Sequence, residues 1–308
     1  MDNREELLHA VHGVLTETIR ELDRVCRKHG LHYWMYGGSL LGTIRHKGFI
    51  PWDDDIDVGM MREDFERLLA LPAEEWKEGY LLCGPESADE RHDKMFGRLY
   101  IEKSRVQSKK DVENWRNWSD NKSWSTSLMC DIFIFDHVPE DYDQYFKLRR
   151  KSAKQKRLYQ IAKLKPHTDS HALKDKVKYW EKIAASKCMR TIWKEPWAVI
   201  AQRNQKMLKK SKGSYVGTYY AGALRGGSGS ETYPEDVFFP LQEADFEGMK
   251  VYVPNQWDKI LSAMYGDYMT PPPASKRIHM DMIYLDLGDG KPHVLGETMP
   301  GSLGDSNR

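Results

Sequence analysis

The 308 residues include only four cysteines, Cys26, Cys83, Cys130 and Cys188, widely spaced and without a CxxC pair. That spacing argues against a disulfide scaffold and the common zinc modules and leaves isolated buried thiols as the expectation. No apolar run approaches the ~18–20 residues needed to cross a bilayer. Met1-Asp2-Asn3-Arg4-Glu5-Glu6 leads into no secretory apolar core, so the cytoplasm is the expected compartment. Net charge is also nearly absent, at +1 from 47 Lys and Arg against 46 Asp and Glu. No internal repeat is visible. Hydrophobic content of 40% with 30% charged residues is that of an ordinary globular chain.

The charge that is present is unevenly placed. From Asp141 to Lys212 there are 21 Lys and Arg against 6 Asp and Glu, so the rest of the chain is acidic. Nothing in this basic stretch resembles a nucleic-acid recognition module, and nucleic acid is not expected as a partner. Solvated helix surface is the default reading. Attraction to an anionic membrane leaflet, with the protein peripheral at the inner face, or to an anionic glycan is the functional one.

Periodicity predicts a long amphipathic helix over Arg4–His29, ended by Gly30, through Leu7, Leu8, Val11, Val14, Leu15, Ile19, Leu22, Val25 and Cys26. A short strand over Leu31–Tyr36 runs into Gly37-Gly38, and a short helix over Ser39–Arg45 is expected with Ser39 as its cap. A second strand is expected over Asp53–Met60, a helix over Arg62–Leu71 and an apolar strand over Leu128–Phe135. The basic stretch reads as helical with breaks at Pro166 and Pro196. Gly213–Ser230, with six glycines, reads as a loop or lid. Asp245–Val253 suggests a hairpin turning at Glu247-Gly248. Trp257–Tyr265 reads as a helix that Asn255 caps and Gly266 ends.

The stretch Trp52-Asp53-Asp54-Asp55-Ile56-Asp57-Val58 carries the chemistry. On a strand, alternate side chains share a face, so Asp53, Asp55 and Asp57 would project together while Asp54 points away. Carboxylates two positions apart lie roughly 6.6 Å apart along such a strand. Like charges that close are unfavourable unless a cation sits between them, and Mg²⁺ or Mn²⁺ suits carboxylate oxygens and substrate phosphates. A solvated acidic loop is the alternative, and the interleaved Ile56 and Val58 count against it. Gly37-Gly38-Ser39 could let backbone amides approach a phosphate. Asp131 and Asp136 flank an apolar run and face opposite sides by parity, so only one can join the acids; Asp131 is preferred.

The residues Gly37-Gly38-Ser39-Leu40-Leu41-Gly42 and Arg45-His46-Lys47-Gly48-Phe49-Ile50-Pro51-Trp52-Asp53-Asp54-Asp55-Ile56-Asp57 together resemble the signature of the LicD family. These are bacterial phosphocholine transferases, related to the fukutin-related ribitol-phosphate transferases. Phe246-Glu247-Gly248, Val253-Pro254 and Tyr265-Gly266-Asp267-Tyr268-Met269 before Pro271-Pro272 resemble the family's closing segment. The likeness spans about residues 5–140 and 213–275 and leaves the basic middle uncovered.

The resemblance implies an α+β nucleotidyltransferase fold, a small mixed sheet flanked by helices. The expected organisation is a catalytic core over 1–140, a basic helical insertion over 141–212, a completing part over 213–296 and a disordered tail over 297–308. It implies Asp55 and Asp57 as the metal-binding pair, Asp131 as the third acid and Asp53 as an assistant. The implied reaction moves phosphocholine from CDP-choline to a hydroxyl of a cell-surface glycan, of teichoic acid or lipopolysaccharide type, and releases CMP. Arg45, His46, Lys47, Lys94 and Arg98 are candidate phosphate contacts, with ordinary surface charge as the alternative. Trp115, Trp118 and Trp124 could hold a quaternary ammonium or stack on a sugar. Tyr265 and Tyr268 are candidate substrate contacts, and simple packing would also explain them. Three other readings stay open: transfer of another phospho-alcohol such as ribitol phosphate, nucleotidyl transfer to a small acceptor, and a catalytically silent glycan- or nucleotide-binding relative.

Overall fold

A computed structural model describes residues 3–89, 91–108, 127–164, 173–220, 232–273, 277, 282–289 and 291–294. In chain order the elements begin with α1 (Asn3–Lys28), β1 (Tyr33–Met35), α2 (Gly37–His46), β2 (Asp57–Met61) and α3 (Arg62–Leu69). They continue through β3 (Tyr80–Cys83), β4 (Gly97–Ile101), β5 (Arg105–Ser108), β6 (Met129–Val138), α4 (Tyr142–Lys163), α5 (Leu173–Ile192) and α6 (Pro196–Leu208). The last are β7 (Tyr215–Gly217), β8 (Thr232–Pro234), α7 (Glu235–Phe238), β9 (Gln242–Phe246), β10 (Met249–Val253), α8 (Trp257–Tyr265), β11 (Met282–Asp286) and β12 (His293–Val294).

The fold is α+β. Its main sheet runs β1-β2-β6-β4-β3, with β7 and then β8 continuing from β6. Among the described residues only β2 and β6 pair in parallel, and the other pairings of this sheet are antiparallel. α1 buries Leu7, Val11, Leu15, Ile19, Leu22, Val25 and Cys26 of the stripe expected from its period, and leaves Leu8 and Val14 half-buried at its edges. It ends at Gly30, which takes φ +60°, and the Leu31 amide closes back on the Cys26 carbonyl at 2.9 Å. The β9–β10 hairpin turns at Glu247 and Gly248, both with positive φ, as a tight two-residue turn requires.

Several boundaries differ from expectation. β2 begins at Asp57, four residues late, because Ile50-Pro51-Trp52-Asp53 makes a turn closed by the Asp53 amide on the Ile50 carbonyl at 2.9 Å. Parity therefore does not govern residues 53–56. Ser39 lies inside α2 and caps nothing; Tyr36 holds the cap position. Asn255 likewise does not cap α8, since its amide donates to the Asp236 carbonyl at 3.0 Å. Part of the glycine-rich stretch is strand β7, and residues 221–231 lie outside the described residues. The basic stretch folds as α4–α6, with Pro196 opening α6; Pro166 and the tail from Glu297 lie outside the described residues. Among the described residues no helix is long and apolar enough to cross a membrane.

Candidate active site

Strand register sets the acidic site. Asp57 at the start of β2 lies opposite Asp131 in parallel β6, and Asp131 lies opposite Arg98 in antiparallel β4. Residues directly opposite across a sheet share a face, so Asp57, Asp131 and Arg98 form one row. Arg98 Nε donates to Asp131 Oδ1 at 2.6 Å and its Nη1 reaches Asp93 Oδ1 at 3.5 Å. Asp53 and Asp55 join from the irregular segment before β2. A recess of about 240 Å³ opens here, lined in part by Asp54, Asp55, Arg98, Ser127, Met129 and Asp131. Asp54 thus lines the recess and does not point away, for want of strand geometry at that position.

Burial and neighbouring negative charge raise three of these carboxylates, Asp53, Asp55 and Asp57. Asp57, half-buried, is held well above the usual carboxylate range by burial, then by Asp55, Asp131 and Asp53, with Arg98 opposing. Asp55 is pushed up to about 7 by burial, then by Asp53, Asp54 and Asp131. Its side chain nevertheless opens on solvent at the mouth of the recess, which tempers the first cause and leaves repulsion as the firmer one. Asp53 is pushed up to about 6 by burial and Asp54, against a hydrogen bond from the Asp54 amide.

This donor set suits a hard divalent cation. Among the described residues no group of three or more His, Cys, Asp or Glu side chains is arranged to hold a metal ion. Arg98 occupies Asp131, whereas Asp55 and Asp57 have no hydrogen bond or ion pair to their carboxylates among the described residues. Two carboxylates beside an open recess match the way Mg²⁺ is held, by one or two acids with waters and substrate phosphates completing the shell.

The glycine turn packs against these acids. β1 ends where antiparallel β2 begins, so the Tyr36 amide bonds the Asp57 carbonyl at 3.0 Å and Gly37 comes beside Asp57. Gly37 takes φ +57°, and a Cβ there would lie 3.5 Å from Asp57 Oδ2. A Cβ on Gly38 would lie 2.7 Å from Asp53 Oδ2. Ser39, almost wholly buried, accepts the Asp57 amide on Oγ at 2.8 Å, tying the first turn of α2 to the acidic strand.

Two braces, unsuspected from spacing alone, hold the loop between α2 and β2. His12 on α1 stacks on Phe49 at 4.2 Å and its Nε2 meets the Asp53 carbonyl at 2.7 Å. Glu247, at the hairpin tip, accepts the Phe49 amide on Oε1 at 3.1 Å, while its own amide bonds the Lys47 carbonyl at 2.9 Å. The separated Phe246-Glu247-Gly248 motif therefore meets the acidic motif in space.

The other candidates divide. Arg45 Nη1 donates to the Tyr268 carbonyl at 2.6 Å and its Nε to His46 Nε2 at 2.9 Å. The His46 ring lies edge-on to Trp52 at 6.4 Å. Tyr265 stands beside the acids: its hydroxyl is pushed up to about 12 by burial, then by Asp53, Asp57 and Asp55. Tyr265 still keeps 43% of its surface exposed, so it borders the site as a wall and is not sealed within it. Tyr268 is buried and its hydroxyl bonds Asp258 on α8. Lys47 is the exposed left-handed residue ending α2, with its charge near Asp245. Lys94 pairs with Asp93 at 3.6 Å. Trp115, Trp118 and Trp124 lie outside the described residues. Sequence reasoning missed Arg277, whose guanidinium lies over the Trp52 ring at 4.4 Å; no local pattern marks it.

A mixed sheet presenting paired carboxylates beside a glycine turn and an open recess is compatible with phosphoryl transfer, and the similarity to a cholinephosphotransferase supports a phosphotransferase. Residues 30–156 match the family described as LicD/FKTN/FKRP, nucleotidyltransferase domain. It is similar to lipopolysaccharide cholinephosphotransferase LicD of Haemophilus influenzae, 27% identical over 263 residues, 85% of this chain and 91% of that protein. A stretch of 50 residues is 50% identical to human ribitol 5-phosphate transferase FKRP, covering 16% of this chain and 10% of that one.

Proposed function

We propose that this chain transfers phosphocholine from CDP-choline to a hydroxyl of a cell-surface glycan, of lipopolysaccharide or teichoic acid type, with a divalent cation held by Asp55 and Asp57. The observation that carries the reading is the row Asp57–Asp131–Arg98 joined by Asp55 beside an open recess. Similarity along most of the chain to a cholinephosphotransferase supports the transferred group.

Mg²⁺ or Mn²⁺ bound at this pair supplies charge neutralisation of the donor's diphosphate. The chain's own residues do the rest. Ser39 fixes the Asp57 backbone, and Arg98 fixes the Asp131 carboxylate. The glycan hydroxyl oxygen bonds to the phosphocholine phosphorus as the bond from that phosphorus to the CMP oxygen breaks. Asp131 or Asp53 takes the hydroxyl proton, and CMP leaves with the electron pair of the broken bond. The recess beside Asp55 and Asp131 is the entry for the acceptor hydroxyl.

The test incubates the protein with Mn²⁺, a glycan extract and a panel of nucleotide-linked donors, and measures nucleoside monophosphate release. CMP release from CDP-choline, lost on Asp55→Asn and Asp57→Asn, is the expected outcome. CMP release from CDP-ribitol alone would move the transferred group to ribitol phosphate, a second reading that the local 50% identity favours. Pyrophosphate release from a nucleoside triphosphate would replace both.

A further inference from the structure

We infer that Arg45 and Arg277 form a two-guanidinium clamp for the diphosphate of the donor, with Trp52 as the plate that sets Arg277 in place. The inference rests on the reading above and assigns the donor's phosphates to residues outside the carboxylate row.

Trp52 immediately precedes the acidic run, and the Arg277 guanidinium carbon lies 4.4 Å from its ring centroid. A planar guanidinium on an indole face is fixed in orientation, and its edge stays free to donate. Arg277 Nε donates to the Pro272 carbonyl at 3.2 Å, which fixes it further. His46 also meets the Trp52 ring edge-on at 6.4 Å and receives Arg45 Nε at 2.9 Å. Arg45 is anchored a second time at the Tyr268 carbonyl, 2.6 Å away. Each guanidinium has five N–H donors, so these anchors leave several unspent on both.

Neither arginine has a carboxylate partner among the described residues, although each is half-buried. Burial and then the charge of Arg277 both work against the charge on Arg45. Two such cations held together without an acid are unfavourable unless an anion joins them. The acids that do stand nearby are turned to another task. Tyr265, which feels both Arg45 and the Asp53, Asp55 and Asp57 charges, marks the boundary between the two groups. A diphosphate lying along that boundary meets the carboxylate-held cation with one edge and the guanidiniums with the other. Arg–phosphate pairs are commonly bidentate and charge-assisted, so two of them give both affinity and direction. The Trp52 face covered by Arg277 is then not where a quaternary ammonium stacks.

Inorganic pyrophosphate is the probe, titrated into the full-length protein with Mn²⁺ by calorimetry. Arg277→Gln and Arg45→Gln are each expected to weaken its binding by about tenfold or more. Arg277→Lys keeps the charge and loses the planar stack, so it should recover only part of the loss. It also serves where the Gln variant folds poorly, and thermal melting of each variant verifies the fold. Wild-type protein that binds no pyrophosphate, or an Arg277→Gln variant binding it within twofold of wild type, overturns the clamp. Arginine-dependent pyrophosphate binding together with a negative CDP-choline screen keeps the clamp and removes the phosphocholine donor, so the two failures are distinguishable.

Discussion

Asp57 and Asp131 sit directly opposite each other on neighbouring parallel strands, and Arg98 from the next strand is bonded to only one of them. The guanidinium thus cancels Asp131 and leaves Asp57, with Asp55, as uncancelled charge at the recess. Replacing Arg98 should return Asp131 to that pool. Arg98→Met is expected to lower stability by about 2–3 kcal/mol, below the 3–5 kcal/mol typical of a broken buried pair, because the Asp131 side chain is 21% exposed. Added Mn²⁺ should recover more melting temperature in this variant than in wild type, since Asp131 then adds an uncancelled charge to those of Asp55 and Asp57. An equal metal response in the two proteins would show that Asp131 does not belong to the cation's surroundings.

Glu247 supports the acidic loop from outside. Its backbone takes φ +45°, an unfavourable value for a side-chain-bearing residue, yet its carboxylate is what receives the Phe49 amide. Glu247→Gly relieves the backbone and removes the acceptor, two effects of about 1 kcal/mol each and of opposite sign. Stability should therefore change little while transferase turnover falls. Glu247→Gln keeps the Oε1 acceptor and should retain turnover. Melting curves beside initial rates for the two variants test this, and equal rates would demote the brace to packing.

Much of this was legible in the chain. The α1 stripe, the Glu247-Gly248 turn and the apolar β6 each follow from a local period or a turn residue. The acids at 53, 55 and 57 were legible as a cluster but not as geometry: their alternation imitates a strand, and the Pro51 turn that delays β2 is masked by it. Ser39 was misread because a serine before a short helix looks like a cap, while its actual bond is tertiary, to the Asp57 amide. The Arg98–Asp131 pair depends on a register between distant strands, and Arg277 reaches Trp52 from the far end of the chain. Contacts of that kind leave no period to read.

Gly38 and Gly42 separate function from folding on one helix. A Cβ at Gly38 meets the Asp53 carboxylate at 2.7 Å, a side-chain oxygen that can swing aside. Gly38→Ala should keep or raise stability, since alanine gains up to about 1 kcal/mol over glycine inside a helix, while displacing Asp53 and reducing turnover. A Cβ at Gly42 instead meets the Gly48 carbonyl at 2.5 Å and the Ile50 amide at 3.1 Å, both backbone. Gly42→Ala should therefore lower the melting temperature as well as turnover. If Gly38→Ala loses stability and keeps full activity, Asp53 has no part in the reaction.

His92 gives the fold a pH dependence that does not pass through the acidic site. It is fully buried beside Tyr100, whose hydroxyl lies 3.4 Å from its Nδ1. Burial first, then the charges of Arg98 and Lys163, hold its pKa down at about 3, against partial opposition from Asp93. The unfolded chain takes up this proton below about 6.5 and the folded protein does not until about 3, so the unfolded state binds more protons across that window. Stability from this group is therefore complete above about pH 6.5 and declines as pH falls toward 3. Between pH 7 and pH 5 the loss amounts to about 2 kcal/mol for His92 alone. Denaturant unfolding of wild type and His92→Gln at both pH values isolates it. The wild type should lose about 2 kcal/mol more than the variant, whose amide does not titrate. Parallel losses in the two proteins would mean that His92 accepts a proton in the folded state, and that its burial between Tyr100 and the Arg98 charge is less complete than the structure has it.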